Sequence, residues 1–249
     1  MKIMSMLENR ETDIVGRARF ALYKLAETAA EGRIPFAVKI GFTAVMAVLI
    51  PVYWANYGPL NFLYFCDLAL LLTLAGLWLE SPLLISMPAV GILGAQLIWI
   101  LDFVCGFAGI HLLGMTDYMF DASKPLYLRG LSLFHVWLPL LLIYLVPRTG
   151  YDRRAFVSWT ALAWTVMTIS YFFLPAPSPE MANAVANVDY VYGFGSTEPQ
   201  HMMPGWMWFS GLMVLFPALL VAPVHVILTR LFGRTAPSKG GDKKRRTWM

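Results

Sequence analysis

Four residues with reactive side chains interrupt otherwise apolar stretches of this chain: Cys66, Asp67, Asp102 and His135. An ionisable side chain is costly inside a bilayer, so such residues face a bundle interior or a water-filled cavity and mark functional sites. A thiol beside an imidazole becomes a thiolate, attacks a carbonyl and forms an acyl-thioester. The imidazole acts as base and then as acid toward the leaving group, and a carboxylate orients the ring. The catalytic candidates are therefore Cys66 as nucleophile, His135 as proton shuttle, and Asp67 or Asp102 as the orienting acid. Asn61 or Ser132 can donate to an oxyanion. Arg129 can hold a phosphate or carboxylate head group. Asn187 and Tyr190, in the last outer loop, complete the set of substrate-binding candidates.

Each of these residues also has a plainer reading. Cys66 and Cys105 are small side chains that pack well in apolar surroundings. His135 can hydrogen-bond a neighbouring helix, Asp67 and His135 can form a structural ion pair, and Asp102, close to a membrane boundary, can simply be solvated. A Cys66–Cys105 disulfide is not expected, because their depths differ by roughly 8 Å. No two histidines stand at a metal-ligand spacing such as i, i+4, so neither a metal nor a cofactor is expected. His111 and His201 fall in outer loops and His225 near an interface.

These residues are positioned by long apolar segments. Hydrophobic residues make up 58% of the 249 and charged residues 14%, with a mean hydropathy of +0.61. Soluble domains carry more charge, and runs near 20 residues are long enough to cross a hydrocarbon core as helix. The absence of short alternating segments excludes a β-barrel. The expected fold is all-α: a transmembrane bundle of six helices over Phe36–Tyr53, Leu60–Leu79, Pro82–Gly106, Gly130–Val146, Arg154–Pro175 and Trp206–Phe232. Counted from the outer ends, Cys66 and Asp67 lie roughly 9–10 Å deep, His135 roughly 8 Å and Asp102 roughly 6 Å. That agreement in depth places all four in one cavity open to the outer face.

Lys and Arg set the orientation. Of nineteen, six lie in the N-terminal segment, three in the loop after the fourth span and seven from Arg230 onward; only Lys124 and Arg129 fall on the other side, with Lys39 inside the first span, where it can snorkel. Both termini are therefore expected in the cytoplasm, and the chain in the inner (plasma) membrane of a bacterial cell, among membrane lipids. A net charge of +4 accounted for by topology gives no sign of nucleic-acid binding. No cleavable signal peptide is expected, because residues 1–35 are mostly polar. Within them Leu7–Ala30 places Ile14, Ala18, Leu22, Leu25 and Ala29 on one face, a cytoplasmic amphipathic helix. Residues 36–233 form the bundle and 234–249 a disordered basic tail. Two long outer loops, Phe107–Arg129 and Ala176–Gly205, are expected to cover the outer end. Pro217 and Pro223 are expected to kink the last span.

At these residues the chain resembles the YwaF-type six-helix bacterial integral membrane proteins. Phe65-Cys66-Asp67-Leu68 resembles the Leu-Cys-Asp segment of their second helix, and Phe134-His135 with Pro139 their histidine-bearing fourth helix. Asp189-Tyr190-Val191-Tyr192, followed by Gly205-Trp206-Met207-Trp208-Phe209, resembles their Asn-Tyr-x-Tyr and Gly-Pro-Trp-x-Trp-Tyr pattern. That family is similar to a eukaryotic membrane acyltransferase of ether phospholipids that uses a cysteine and a histidine. It is more distantly similar to the androgen-induced membrane hydrolases. The resemblance implies an acyltransferase or lipid-ester hydrolase with Cys66 as nucleophile and His135 as partner. Tyr64 and Asp189 depart from the pattern, which has a histidine two before the cysteine and an asparagine before the tyrosine. A non-catalytic membrane binding or transport protein, with a polar pocket for a lipid head group, a small ligand or a proton, is the alternative.

The expected topology has a direct check. On a background without the two native cysteines, Gly195→Cys should label from outside and Gly240→Cys from inside; labelling of both from one side overturns the orientation.

Overall fold

Backbone N–H and C=O groups inside a bilayer have no water to bond, so a spanning segment must satisfy them itself or against its neighbours. The computed structural model describes residues 34–110, 112–179, 185–195 and 198–233. Among them all regular structure is helical, apart from one isolated bridge between Tyr151 and Gly233. The helices are α1 (Phe36–Tyr57), α2 (Phe65–Leu79), α3 (Pro82–Phe107), α4 (Leu126–Ser132), α5 (Phe134–Thr149), α6 (Ala155–Phe173), α7 (Gly205–Phe216) and α8 (Ala222–Phe232). The expected amphipathic helix Leu7–Ala30, the basic tail and His111 lie outside the described residues.

Five helical stretches of 19 to 28 residues are long and apolar enough to cross a membrane: α1, α3, α4 with α5, α6, and α7 with α8. Large apolar side chains such as Val48, Leu101, Leu140 and Leu219 remain exposed along them, the surface that contact with lipid requires. The second expected span is shorter than Leu60–Leu79. Pro59–Leu63 forms a tight 3₁₀ turn, Tyr64 is extended (φ −58°, ψ 138°), and α2 begins only at Phe65. Its 15 residues cover roughly 22 Å, less than a hydrocarbon core of about 30 Å. The fourth span starts earlier than Gly130, with α4 running into α5 at Leu133. In the last span the prolines produce a π-turn at Pro217–Val221, where the Ala222 N–H reaches back to the Pro217 carbonyl. Pro217 and Pro223 have no N–H to give, and the widened turn absorbs that loss.

Lys39 stands near the start of α1. Its ammonium pairs with Glu80 at 2.6 Å, joining the start of α1 to the turn between α2 and α3. The same face holds the α5–α6 turn, where the Asp152 N–H donates to Ser86 Oγ at 2.9 Å. The Tyr151 N–H donates to the Phe232 carbonyl at 3.1 Å, bringing the end of α8 there too. The first and last described residues therefore lie at one end of the bundle.

α3 is the central element, packed by α2, α5, α6, the π-turn and α8. Its glycines permit this. The Leu220 carbonyl lies 2.8 Å from where a Cβ on Gly94 would sit, and a Cβ on Gly91 would collide with the fully buried Trp159 ring. Gly91→Ala should therefore destabilise the bundle by about 1–3 kcal/mol through overpacking. The check is a lowered thermal unfolding temperature in micelles that Trp159→Leu partly restores in the double variant. Equal unfolding temperatures for wild type and Gly91→Ala would contradict it.

Candidate functional site

The first N–H groups of a helix have no partner within the helix. For α2 they open inside the protein, and the partner comes from far along the chain. The Asp189 carboxylate accepts from the Phe65 N–H at 3.0 Å through Oδ1. Asp189 stands in a short turn, Val188–Tyr190, held in shape by Asn187. The Asn187 amide donates to the carbonyls of Gly193 (2.7 Å) and Gly195 (2.9 Å), and its oxygen accepts from the Tyr192 N–H at 2.8 Å. Asn187, Asp189 and Tyr190 all take left-handed backbone conformations, with φ of 52°, 55° and 62°. Non-glycine residues there cost of order 1 kcal/mol each or more and persist only where surrounding contacts enforce them. Those contacts are the Tyr64 hydroxyl on the Ala186 carbonyl (3.3 Å), the Trp208 indole on the Tyr190 carbonyl (2.9 Å) and the Tyr192 hydroxyl on the Tyr171 carbonyl (2.6 Å).

One turn into α2, Asp67 is 3% exposed. Its Oδ2 accepts from the Asn61 amide at 3.2 Å, and the Cys66 thiol lies 3.8 Å from the same oxygen. Asp67 Oδ1 and Asp189 Oδ2 are both buried and both lack a hydrogen-bond partner. Burial pushes the Asp189 carboxyl well above the ordinary carboxylate range, against the opposing Phe65 N–H bond, and the charge of Asp67 adds to the rise. Burial likewise raises the phenol of Tyr190, which also senses Tyr64, Cys66 and Asp189. The Asp189 carboxyl thus senses Asp67 at the start of α2, and among the described residues neither has an ion pair.

His135 is held by its own set of contacts. Its ring stacks on Trp99 (4.5 Å between centroids) and on Phe134 (4.1 Å). Its Nδ1 lies 2.7 Å from the Ser132 carbonyl, so Nδ1 carries the donated proton and Nε2 is the acceptor of the neutral ring. The Ser132 hydroxyl bonds the buried Tyr53 hydroxyl at 3.1 Å, and Tyr118 nearby also senses Cys66. Burial raises the Tyr118 phenol. His135 makes neither an ion pair with Asp67 nor a hydrogen bond with Cys66.

Asp102 is not solvated. At 2% exposed, it accepts from the Leu113 N–H (2.8 Å), the Thr116 N–H (2.9 Å) and the Thr116 hydroxyl (2.8 Å), and so pins the loop after α3. Arg129 donates to the Met119 carbonyl at 3.2 Å, while its Nε is buried without a partner. Cys66 and Cys105 are free thiols.

The structure thus brings Cys66, Asp67 and Asn61 together and adds Asp189, Tyr64 and Tyr190. It sets Ser132 and His135 beside Tyr53, Tyr118 and Trp99, and assigns Asp102 and Asn187 to holding loops. Among the site groups the sequence reading missed, Asp189 matters most. The sequence marked it only as the departure from an Asn-Tyr-x-Tyr pattern inside an aromatic, glycine-rich run, and no spacing linked it to Phe65. No protein-family model matches the chain, and neither a curated protein nor a solved structure matches it.

Asp102→Ala would leave three donors without their acceptor. It should destabilise the outer loop by about 3 kcal/mol, read as faster proteolysis between residues 108 and 125. Unchanged proteolysis there would contradict the anchoring role.

Proposed function

We propose that this protein is a six-crossing integral membrane protein, both termini cytoplasmic in a bacterial plasma membrane, whose buried Asp67–Asp189 pair binds a proton in a non-catalytic binding or transport role. The observation that carries the reading is the pair itself: two buried carboxyl groups, each with one unpartnered oxygen, at the start of an interrupted helix. An isolated buried charge is so costly that the group neutralises instead, and a proton is the smallest species that neutralises it. Two carboxylates that share a site do not both ionise readily.

Six crossings are supported by the two described chain ends sharing one face, which requires an even number of passes. α2 is then a short crossing, completed by the 3₁₀ turn and by Asp189. Interrupted helices beside a binding site are a feature of membrane transporters, and both α2 and the last span are interrupted here. The orientation rests on the Lys and Arg asymmetry. Acyl transfer through Cys66 and His135 has less support, because the polar group nearest the thiol is a carboxylate and the imidazole is held by Ser132.

The test is the protonation state. Infrared difference spectra of the purified protein should show a deuterium-sensitive carboxylic-acid C=O band at neutral pH that Asp67→Asn or Asp189→Asn shifts or removes. Carboxylates ionised at neutral pH would overturn the reading. Stability should follow. With its pKa raised in the folded state, Asp189 keeps a proton that the unfolded chain releases above about pH 3.9. Stability from this group is therefore greatest below that value and falls as pH rises toward the folded pKa; Asp189→Asn should flatten that slope. Loss of lipid-ester turnover in Cys66→Ala, with wild-type turnover present, would instead favour acyl transfer.

A further inference from the structure

The face that gathers the start of α1 and the end of α8 carries a basic cavity far along the bundle from the carboxyl pair. It lies between the α2–α3 turn and the α5–α6 turn, holds about 400 Å³, and its lining includes Ser81, Tyr151, Asp152, Arg153 and Arg154. The walls are fixed. Tyr151 is buried, with its hydroxyl 2.7 Å from His225 Nδ1 and its N–H on the Phe232 carbonyl. Ser81 Oγ caps α3 by accepting from the Leu84 N–H.

The two arginines differ. Arg154 grips Asp152 through Nε (3.1 and 3.2 Å) and Nη2 (2.7 Å), so its charge is largely answered. The exposed Arg153 guanidinium has no hydrogen bond or ion pair among the described residues. It leaves a net positive charge at the cavity, in a fork that matches two oxygens of a phosphate. Phe36, Trp78, Leu79 and Val157, at the ends of the helices on this face, are exposed and apolar. A free phosphate has no use for that surface. A phospholipid does, with its phosphate in the cavity and its chains along the helices.

We propose that this cavity binds the phosphate of an anionic phospholipid, with Arg153 as the residue that recognises it. A zwitterionic lipid brings its own cation to a positive site and gains less. The test uses the full-length protein in detergent, with phosphatidylglycerol or phosphatidylcholine added and bound lipid counted by native mass spectrometry. Phosphatidylglycerol should be retained preferentially, and Arg153→Gln should weaken its retention roughly tenfold, the change expected when one charge-assisted contact is lost. Arg148→Gln is the control on the same face. Its guanidinium lies over the Tyr144 ring, 3.6 Å from the centroid, and donates to the Tyr144 carbonyl. It should leave retention unchanged. Unaltered retention in Arg153→Gln, or equal losses in both variants, would overturn the proposal. Displacement of the lipid by millimolar inorganic phosphate would reassign the cavity to the free anion. A thermal scan showing Arg153→Gln folded as wild type ties any loss to the site.

Discussion

A helix that starts within the protein must find acceptors for its first N–H groups, and the architecture around the candidate site depends on how α2 meets that demand. The 3₁₀ turn and the extended Tyr64 cut the helical ladder short at this end of the bundle. Water cannot serve a start that is buried, so a side chain does, and Asp189 brings a carboxylate to the Phe65 N–H. A carboxylate suits this position because the exposed N–H groups give a helix start a partial positive charge. The same step places a second acid within electrostatic reach of Asp67, one turn further on. The cap and the candidate site are thus one feature.

This arrangement needs the loop to hold its shape against strain. Three residues with positive φ within four positions would not persist in a free loop. Asn187 bonds three backbone groups from within, while Tyr64, Tyr192 and Trp208 tie the turn to α2, α6 and α7. Asp102 does the corresponding work for the loop after α3, with three donors on one carboxylate. The acids of this chain therefore divide by satisfaction. Both Asp102 oxygens are answered by donors, whereas Asp67 and Asp189 each keep one oxygen without a partner.

Close packing around α3 sets the distances on which the site relies. Gly91 lets Trp159 lie against the helix, and Trp159 in turn meets the Phe65 ring at 5.8 Å, on the first residue of α2. Gly94 admits the π-turn of the last span. Small residues at such crossings let backbones approach where lipid supplies no hydrophobic force between helices. At the other face, the Lys39–Glu80 pair and the Tyr151–Phe232 contact close the bundle.

The sequence by itself determined that the fold is helical and membrane-compatible, where the five helical stretches long enough to cross a membrane run, and that Cys66 and Asp67 sit in an apolar stretch. Those properties are written in local composition, in run length and in proline and glycine placement, all of which act over a few residues. It also gave depth along each helix, since rise per residue is fixed. Depth is one coordinate of three. Which way a side chain points around its axis, and which loop crosses which helix end, depend on packing between segments far apart in sequence. Similar depth therefore puts Asp67, Asp102 and His135 at one level, while packing decides the contacts each makes: His135 with Trp99 and Ser132, Asp102 with Thr116 and Leu113. The second carboxylate, which senses the charge of Asp67, comes from a loop more than a hundred residues away, brought there by its hydrogen bond with the first N–H of α2.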